Sequence, residues 1–147
     1  MENIFENFTM TILKINKSIQ KIKQSEMREY GLKGVHVMCL YYLAERGKLT
    51  SSELIKLTYE DKAAISRALK QLADNGCVVC ETKKYNAEVC LTEKGIVIAN
   101  GVIEKINEAV KAVAARFGEY ERKFFHNSLN AVADKLQKYC QEVTADD

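Results

Sequence analysis

Residues 50–76, TSSELIKLTYEDKAAISRALKQLADNG, constrain the fold of this chain more than any other stretch. Thr50-Ser51-Ser52-Glu53 has the form of a capping box: the threonine hydroxyl accepts from the N–H three residues on, and the glutamate reaches back to the threonine N–H. Leu54, Ile55 and Leu57 then fill about two helical turns. Thr58, Tyr59 and Glu60 interrupt the pattern, and Asp61 is placed to cap a second helix that stops at Asn75-Gly76.

The spacing predicts two faces for that second helix. Ile65, Ala68, Leu69 and Leu72 recur three or four residues apart and form a core stripe. Lys62, Ala63, Ser66, Arg67 and Lys70 cluster on the opposite side, which is short, small and cationic. A capped positioning helix, a turn of about three residues and a second helix with a small basic outer face make the pattern of a helix-turn-helix, whose second helix enters the DNA major groove. The competing reading is a helical hairpin in an ordinary bundle, its basic face merely solvated. The next segment of the chain weighs against it.

After Gly76 the period changes. Residues 78–83 and 88–91 are β-prone runs separated by Lys84-Tyr85-Asn86-Ala87, which predicts a hairpin. Directly after a helix-turn-helix, a hairpin is the wing of a winged helix, with Lys83 and Lys84 at its tip beside the duplex. Upstream, Phe5, Phe8, Ile12, Ile15, Ile19 and Ile22 step by three and four along a helix over residues 3–26. Residues 35–46 are apolar around much of their circumference and predict a central, buried helix. Downstream, a long helix starts at Thr92-Glu93-Lys94-Gly95 and runs to Phe117, with Ala99, Ile103, Ile106, Val110, Val113 and Phe117 in heptad register. Gly118 breaks it, and a last helix carries Phe125, Leu129, Val132, Leu136, Tyr139 and Val143. Helices that share a seam period most simply pack together, and their residual apolar surface predicts a homodimer. The expected fold is thus mostly α with a small β-hairpin wing. Residues 1–30 form an N-terminal dimerisation helix, 31–95 a winged helix-turn-helix and 96–147 C-terminal dimerisation helices, all in one compact subunit.

Composition sets outer bounds. Of 147 residues, 47% are hydrophobic and 29% charged, and proline is absent, which fits a folded, helical chain. The net charge is +2, with the small basic excess in residues 31–95, so a nucleic-acid partner is permitted but not demanded. No apolar run approaches the length of a membrane span, and the first ten residues do not read as a secretory signal. Five cysteines (39, 77, 80, 90 and 140) lack the spacing of a disulfide framework, so free thiols in a reducing cytoplasm are expected. With no glycine-rich phosphate loop and no nucleophile paired to a base, the chain is expected to be no enzyme and to need no cofactor.

At this point the chain resembles the MarR family of bacterial transcriptional regulators over nearly its whole length. LKGVHVMCLYYL is similar to the helix before the motif, LTSSELIKLT to the positioning helix, and DKAAISRALKQLADNGCV to the recognition helix and the turn into the wing. CLTEKG resembles the end of the wing and the start of the long dimer helix. The resemblance implies a dimeric winged helix on a near-palindromic double-stranded operator, acting as a repressor released by a small aromatic or lipophilic effector. It places DNA contacts at Ser66 and Arg67, with Lys62, Ala63, Ala64 and Lys70 beside them, Ser51 and Ser52 on the positioning helix, and Lys83, Lys84, Tyr85 and Asn86 on the wing. Ala63-Ala64 stands where the family has small polar residues, so contact with a thymine methyl replaces a hydrogen bond there. The acidic-plus-arginine signature of the family's wing is missing. Two alternatives stay open: a helical dimer whose degenerate winged helix meets another protein, and a regulator controlled by cysteine oxidation.

His36 is expected to be structural, since a metal needs convergent ligands and His126 is far along the chain. Cys77 and Cys80, three apart on a strand, should point to opposite faces unless Cys77 lies in the turn. Cys80 and Cys90 face each other across the hairpin in one register, and buried, passive thiols are expected otherwise. Met10, His36, Tyr41 and Tyr42 are equally suited to line an effector pocket or to fill core.

Overall fold

The computed structural model describes residues 3–82 and 85–144, the side chains of residues 4, 5, 26 and 27 apart. The described elements are α1 (Ile4–Arg28), α2 (Gly34–Arg46), β1 (Lys48–Leu49), α3 (Ser51–Thr58), α4 (Lys62–Asp74), β2 (Val78–Cys80), β3 (Val89–Leu91), α5 (Glu93–Ala114) and α6 (Glu119–Thr144). The chain is mostly helical with a small antiparallel sheet, a winged helix between long flanking helices, as its sequence pattern requires. It divides into two compact units, Met1–Ile106 and Asn107–Asp147, and the division falls inside α5.

In the first unit α2 is the central element. His36, Val37, Cys39, Leu40 and Leu43 are buried on it, against Leu54 of α3 and Ile65, Ala68 and Leu72 of α4. Ile65, Ala68 and Leu72 are residues that helical spacing assigns to the core face of α4, so the periodicity and the burial there have one cause. Leu69 of the same stripe is only partly buried.

The sheet has the order β1-β3-β2, all antiparallel. β1 is an addition to the expected hairpin, since two residues carry no readable period. Leu49 pairs with Val89 and turns inward with it, while Lys48 pairs with Cys90 on the outer side and forms an ion pair with Glu81. The wing strands are three residues each, shorter than the β-prone runs.

The start of α5 is knitted to the end of α4. The Thr92 N–H donates to the Cys77 carbonyl (3.0 Å), the Thr92 hydroxyl to the Gly76 carbonyl (2.6 Å), and Lys94 Nζ to the Asn75 carbonyl (2.7 Å). Gly95 follows because a Cβ there would stand 1.9 Å from the Cys77 carbonyl oxygen. Gly76 supplies the left-handed turn (φ +70°) that ends α4.

The heptad stripe of α5 does not behave as one seam. Ala99 is buried, together with Gly95, Ile98 and Val102 beside it, so the winged-helix core continues beyond residue 95. Val110, Val113 and Phe117 are exposed. A period tells which residues share a face, not what that face meets. In the second unit Phe117 stacks on Phe125, centroids 6.5 Å apart, and α6 buries no residue of its own.

Candidate nucleic-acid interface

The capping box closes as its residues dictate. The Glu53 N–H donates to Thr50 Oγ1 at 3.2 Å, and the Thr50 N–H donates to Glu53 Oε2 at 2.8 Å, which holds that carboxyl below its ordinary pKa. Tyr59 ends α3 in the left-handed region (φ +58°), its N–H donating to the Ile55 carbonyl. Asp61 Oδ1 accepts from the Ala64 N–H at 2.7 Å and starts α4. Three residues therefore turn the chain between the two helices.

With Ile65, Ala68 and Leu72 buried, the opposite side of α4 faces solvent. Lys62, Ala63, Ser66, Arg67 and Lys70 are all exposed there, and Ala64 is half-buried at the edge. The core side and the cationic side are fixed by the same helical register. Tyr59, which no motif singles out, is exposed in the turn between α3 and α4; only its backbone conformation sets it apart.

The wing turn comes back to the helix-turn-helix. Asn86, in the left-handed region (φ +56°), uses its Oδ1 to accept from Ser51 Oγ (3.0 Å), Ser52 Oγ (2.9 Å) and the Ser52 N–H (3.2 Å). The Lys62 ammonium sits 5.8 Å from the centre of the Tyr85 ring. The structure thus joins Ser51, Ser52 and Lys62 to Tyr85 and Asn86. Lys83 and Lys84 lie outside the described residues.

His36 is a core residue. Its Nδ1 meets the Lys33 N–H at 2.7 Å, as a capping-box glutamate would, and lies 3.0 Å from the Lys33 carbonyl oxygen. Nε2 is buried without a hydrogen-bond partner, and burial lowers the pKa of the ring. Among the described residues no cluster of ligating side chains could hold a metal. The four residues suggested for an effector pocket stand in different settings. Met10 is exposed and lines a hollow with Glu6, Asn7, Leu13 and Lys14 of its own helix. His36 is interior, and Tyr41 and Tyr42 make an edge-to-face pair on α2 (5.3 Å).

The cysteines divide. Cys39 and Cys77 are buried, and burial pushes the Cys39 thiol up to about 12. Cys80 and Cys140 are exposed, against the expectation of burial, because β2 is at the sheet edge and α6 has no buried face. Cys77 lies in the turn before β2 and not on the strand with Cys80, so strand alternation does not relate the two. Cys90 pairs with Val79, and Cys80 with Val89, so this register sets Cys80 and Cys90 on opposite faces and not across from one another.

Residues 30–83 match the sequence model of the MarR family, which bears out the resemblance over the winged helix. No curated protein matches the chain. Several solved structures share its fold along nearly the whole length. A MarR family regulator from Neisseria meningitidis superposes with a TM-score of 0.81 at 23% identity, covering 95% of this chain and 98% of that one. A MarR family regulator from Listeria monocytogenes, solved with a 26mer DNA, gives 0.78 at 22% identity, covering 92% and 90%. MarR from Staphylococcus aureus, in complex with salicylate and kanamycin, gives 0.79 at 18% identity, covering 93% and 95%.

Proposed function

We propose, taking as premise that this chain carries a MarR-family winged helix, that it is a transcriptional regulator that binds double-stranded DNA sequence-specifically as a homodimer. The observation that carries the reading is the face of α4: Lys62, Ser66, Arg67 and Lys70 stand exposed on a helix whose other side is locked into the core. Such a helix presents short side chains and cations to a major groove without rearrangement. Arg67 and Lys70 supply base-edge and phosphate contacts, Ser66 a hydrogen bond, and Ala63 and Ala64 apolar contact with thymine methyls. Ser51, Ser52, Lys83, Lys84, Tyr85 and Asn86 complete the interface from the positioning helix and the wing. The Listeria relative was solved on DNA, which supports the same use of this fold.

A two-fold dimer would read a near-palindromic operator and repress by occupying it. The staphylococcal relative holds salicylate, which supports an aromatic acid as the class of effector to try first. Among the described residues no helix is long and apolar enough to cross a membrane, and a protein acting on DNA works in the cytoplasm, here with no catalytic role.

The test is selection of duplexes from a random pool by the purified protein, followed by binding of selected and scrambled duplexes at several salt concentrations. An enriched sequence with two related half-sites supports the reading. Failure to enrich any sequence overturns it and brings forward the protein-contact alternative, for which Ala63 on the outer face of α4 and Ala64 at its edge are the argument.

A further inference from the structure

Two neighbouring wing residues hold the first residues of both helices of the motif. Asn86 meets Ser51 and Ser52 at the start of α3, and Tyr85 meets Lys62 at the start of α4. At the start of α3 the two orphan donors at Glu53 and Ser52 are satisfied differently. Thr50 accepts from the Glu53 N–H within the same turn, whereas among the described residues the Ser52 N–H is met only by Asn86, 34 residues further along. This second cap is tertiary and exists only while the wing turn is docked. Asparagine suits the post, because its short amide both accepts at a helix N-terminus and tolerates the left-handed backbone found here (φ +56°).

We propose that Asn86 is a positioning residue for DNA binding: by capping α3 from the wing, it docks the wing turn on the helix-turn-helix before DNA arrives, with Tyr85 on Lys62 as a second clasp. The inference rests on the DNA-binding reading above and assigns Asn86 a role through Ser51 and Ser52 in place of a direct hold on the duplex. A wing that swings free occupies the binding-competent arrangement for only part of the time, and apparent affinity falls by that fraction. Hydrogen bonds on an exposed surface are individually weak, so the clasp shifts this population without being needed for the fold.

Asn86→Gly keeps the left-handed backbone and removes the acceptor, while Asn86→Asp keeps an acceptor at the helix N-terminus. Affinity for duplexes selected by the wild type is measured by fluorescence anisotropy. Amide exchange at Ser52 is followed in the DNA-free protein. Asn86→Gly is expected to bind about three- to tenfold more weakly, with faster Ser52 exchange and an unchanged melting temperature. Asn86→Asp should keep Ser52 exchange slow. In a chain already carrying Ser51→Ala and Ser52→Ala, Asn86→Gly should cost clearly less than it does in the wild type, because part of its route is gone. An equal cost in both backgrounds, or unchanged Ser52 exchange, overturns the proposal and leaves a direct contact. If Asn86→Gly lowers the melting temperature, Tyr85→Ala carries the test: weaker binding with faster exchange over residues 85–87 supports the clasp, and unchanged binding overturns it. A wild type that binds DNA while the cycle is additive removes this inference alone. One that selects no duplex removes the DNA-binding reading with it.

Discussion

Arg67 and His36 show how one helical period produces opposite residue chemistries. Arg67 lies on the exposed side of α4, where a guanidinium can pair with a guanine edge. Arg67→Ala is expected to cost about 1–3 kcal/mol on a selected duplex and much less on a scrambled one, narrowing the gap between them. Titrations of both duplexes with both proteins check this, and an equal loss on the two would make Arg67 a phosphate contact. His36 lies on the inward side of α2, its Nε2 enclosed without a partner. Burial disfavours the imidazolium, so the folded pKa lies below the ordinary 6.5. The unfolded chain then takes the proton more readily. The stability held by neutral His36 is complete above pH 6.5 and is lost as pH falls through the lowered folded value. Melting temperatures between pH 7.5 and 5 should therefore fall less steeply in His36→Asn, whose side-chain oxygen can replace Nδ1 toward Lys33, than in the wild type. The burial of His36 was legible in the sequence from its place in an apolar helix. The role of Asn86 was not, since its partners are 34 and 35 residues away and no local pattern records them.

At the scale of elements, the helix-turn-helix was legible because its signals are local: a capping box, an Asp cap and a stripe of period 3.6 all fall within one segment. β1 was not legible, because pairing with β3 is a tertiary event carried by two residues. The Leu-Thr-Glu-Lys-Gly run, recognisable as a motif, acquires a physical reason only in the structure. It brings the backbone of α5 against the Cys77 carbonyl, with Thr92 and Lys94 bonding the turn that ends α4. Gly95→Ala places a methyl group 1.9 Å from that oxygen, and the obstacle is backbone, so the helix must move. A loss of about 1–3 kcal/mol or more is expected in urea unfolding, with the midpoint shifted and the slope retained. A midpoint within error of the wild type would mean that α5 approaches the turn after α4 less closely than this. Because the same contact sets the entry of the chain from the wing into α5, weaker DNA binding should accompany the lost stability.

At the scale of the molecule, the apolar residues without a place in the core argue for a second subunit. Phe8, Ile12, Ile15, Ile19 and Ile22 lie along one stripe of α1, each 37–47% exposed. Phe125, Leu129, Leu136, Tyr139 and Val143 are likewise exposed on α6, which has no buried residue. An exposed apolar stripe running along a helix, as each of these does on its own helix, is the mark of an interaction surface. Two identical copies of a stripe in heptad register are its simplest cover. Sedimentation equilibrium at micromolar concentration is expected to show a dimer, and a folded monomer there would defeat the reading. Ile15→Glu with Ile19→Glu makes the sharper test. Both side chains are outside the subunit core, so helix content should persist while association fails. A dimer carries each change twice, and at about 1.5–3 kcal/mol for each buried isoleucine the dimer should weaken on the order of a thousandfold or more. DNA binding should fall with it, because one winged helix then engages one half-site alone. A variant that is monomeric yet binds the selected duplex undiminished would separate the stripes from operator recognition and assign them to a different partner.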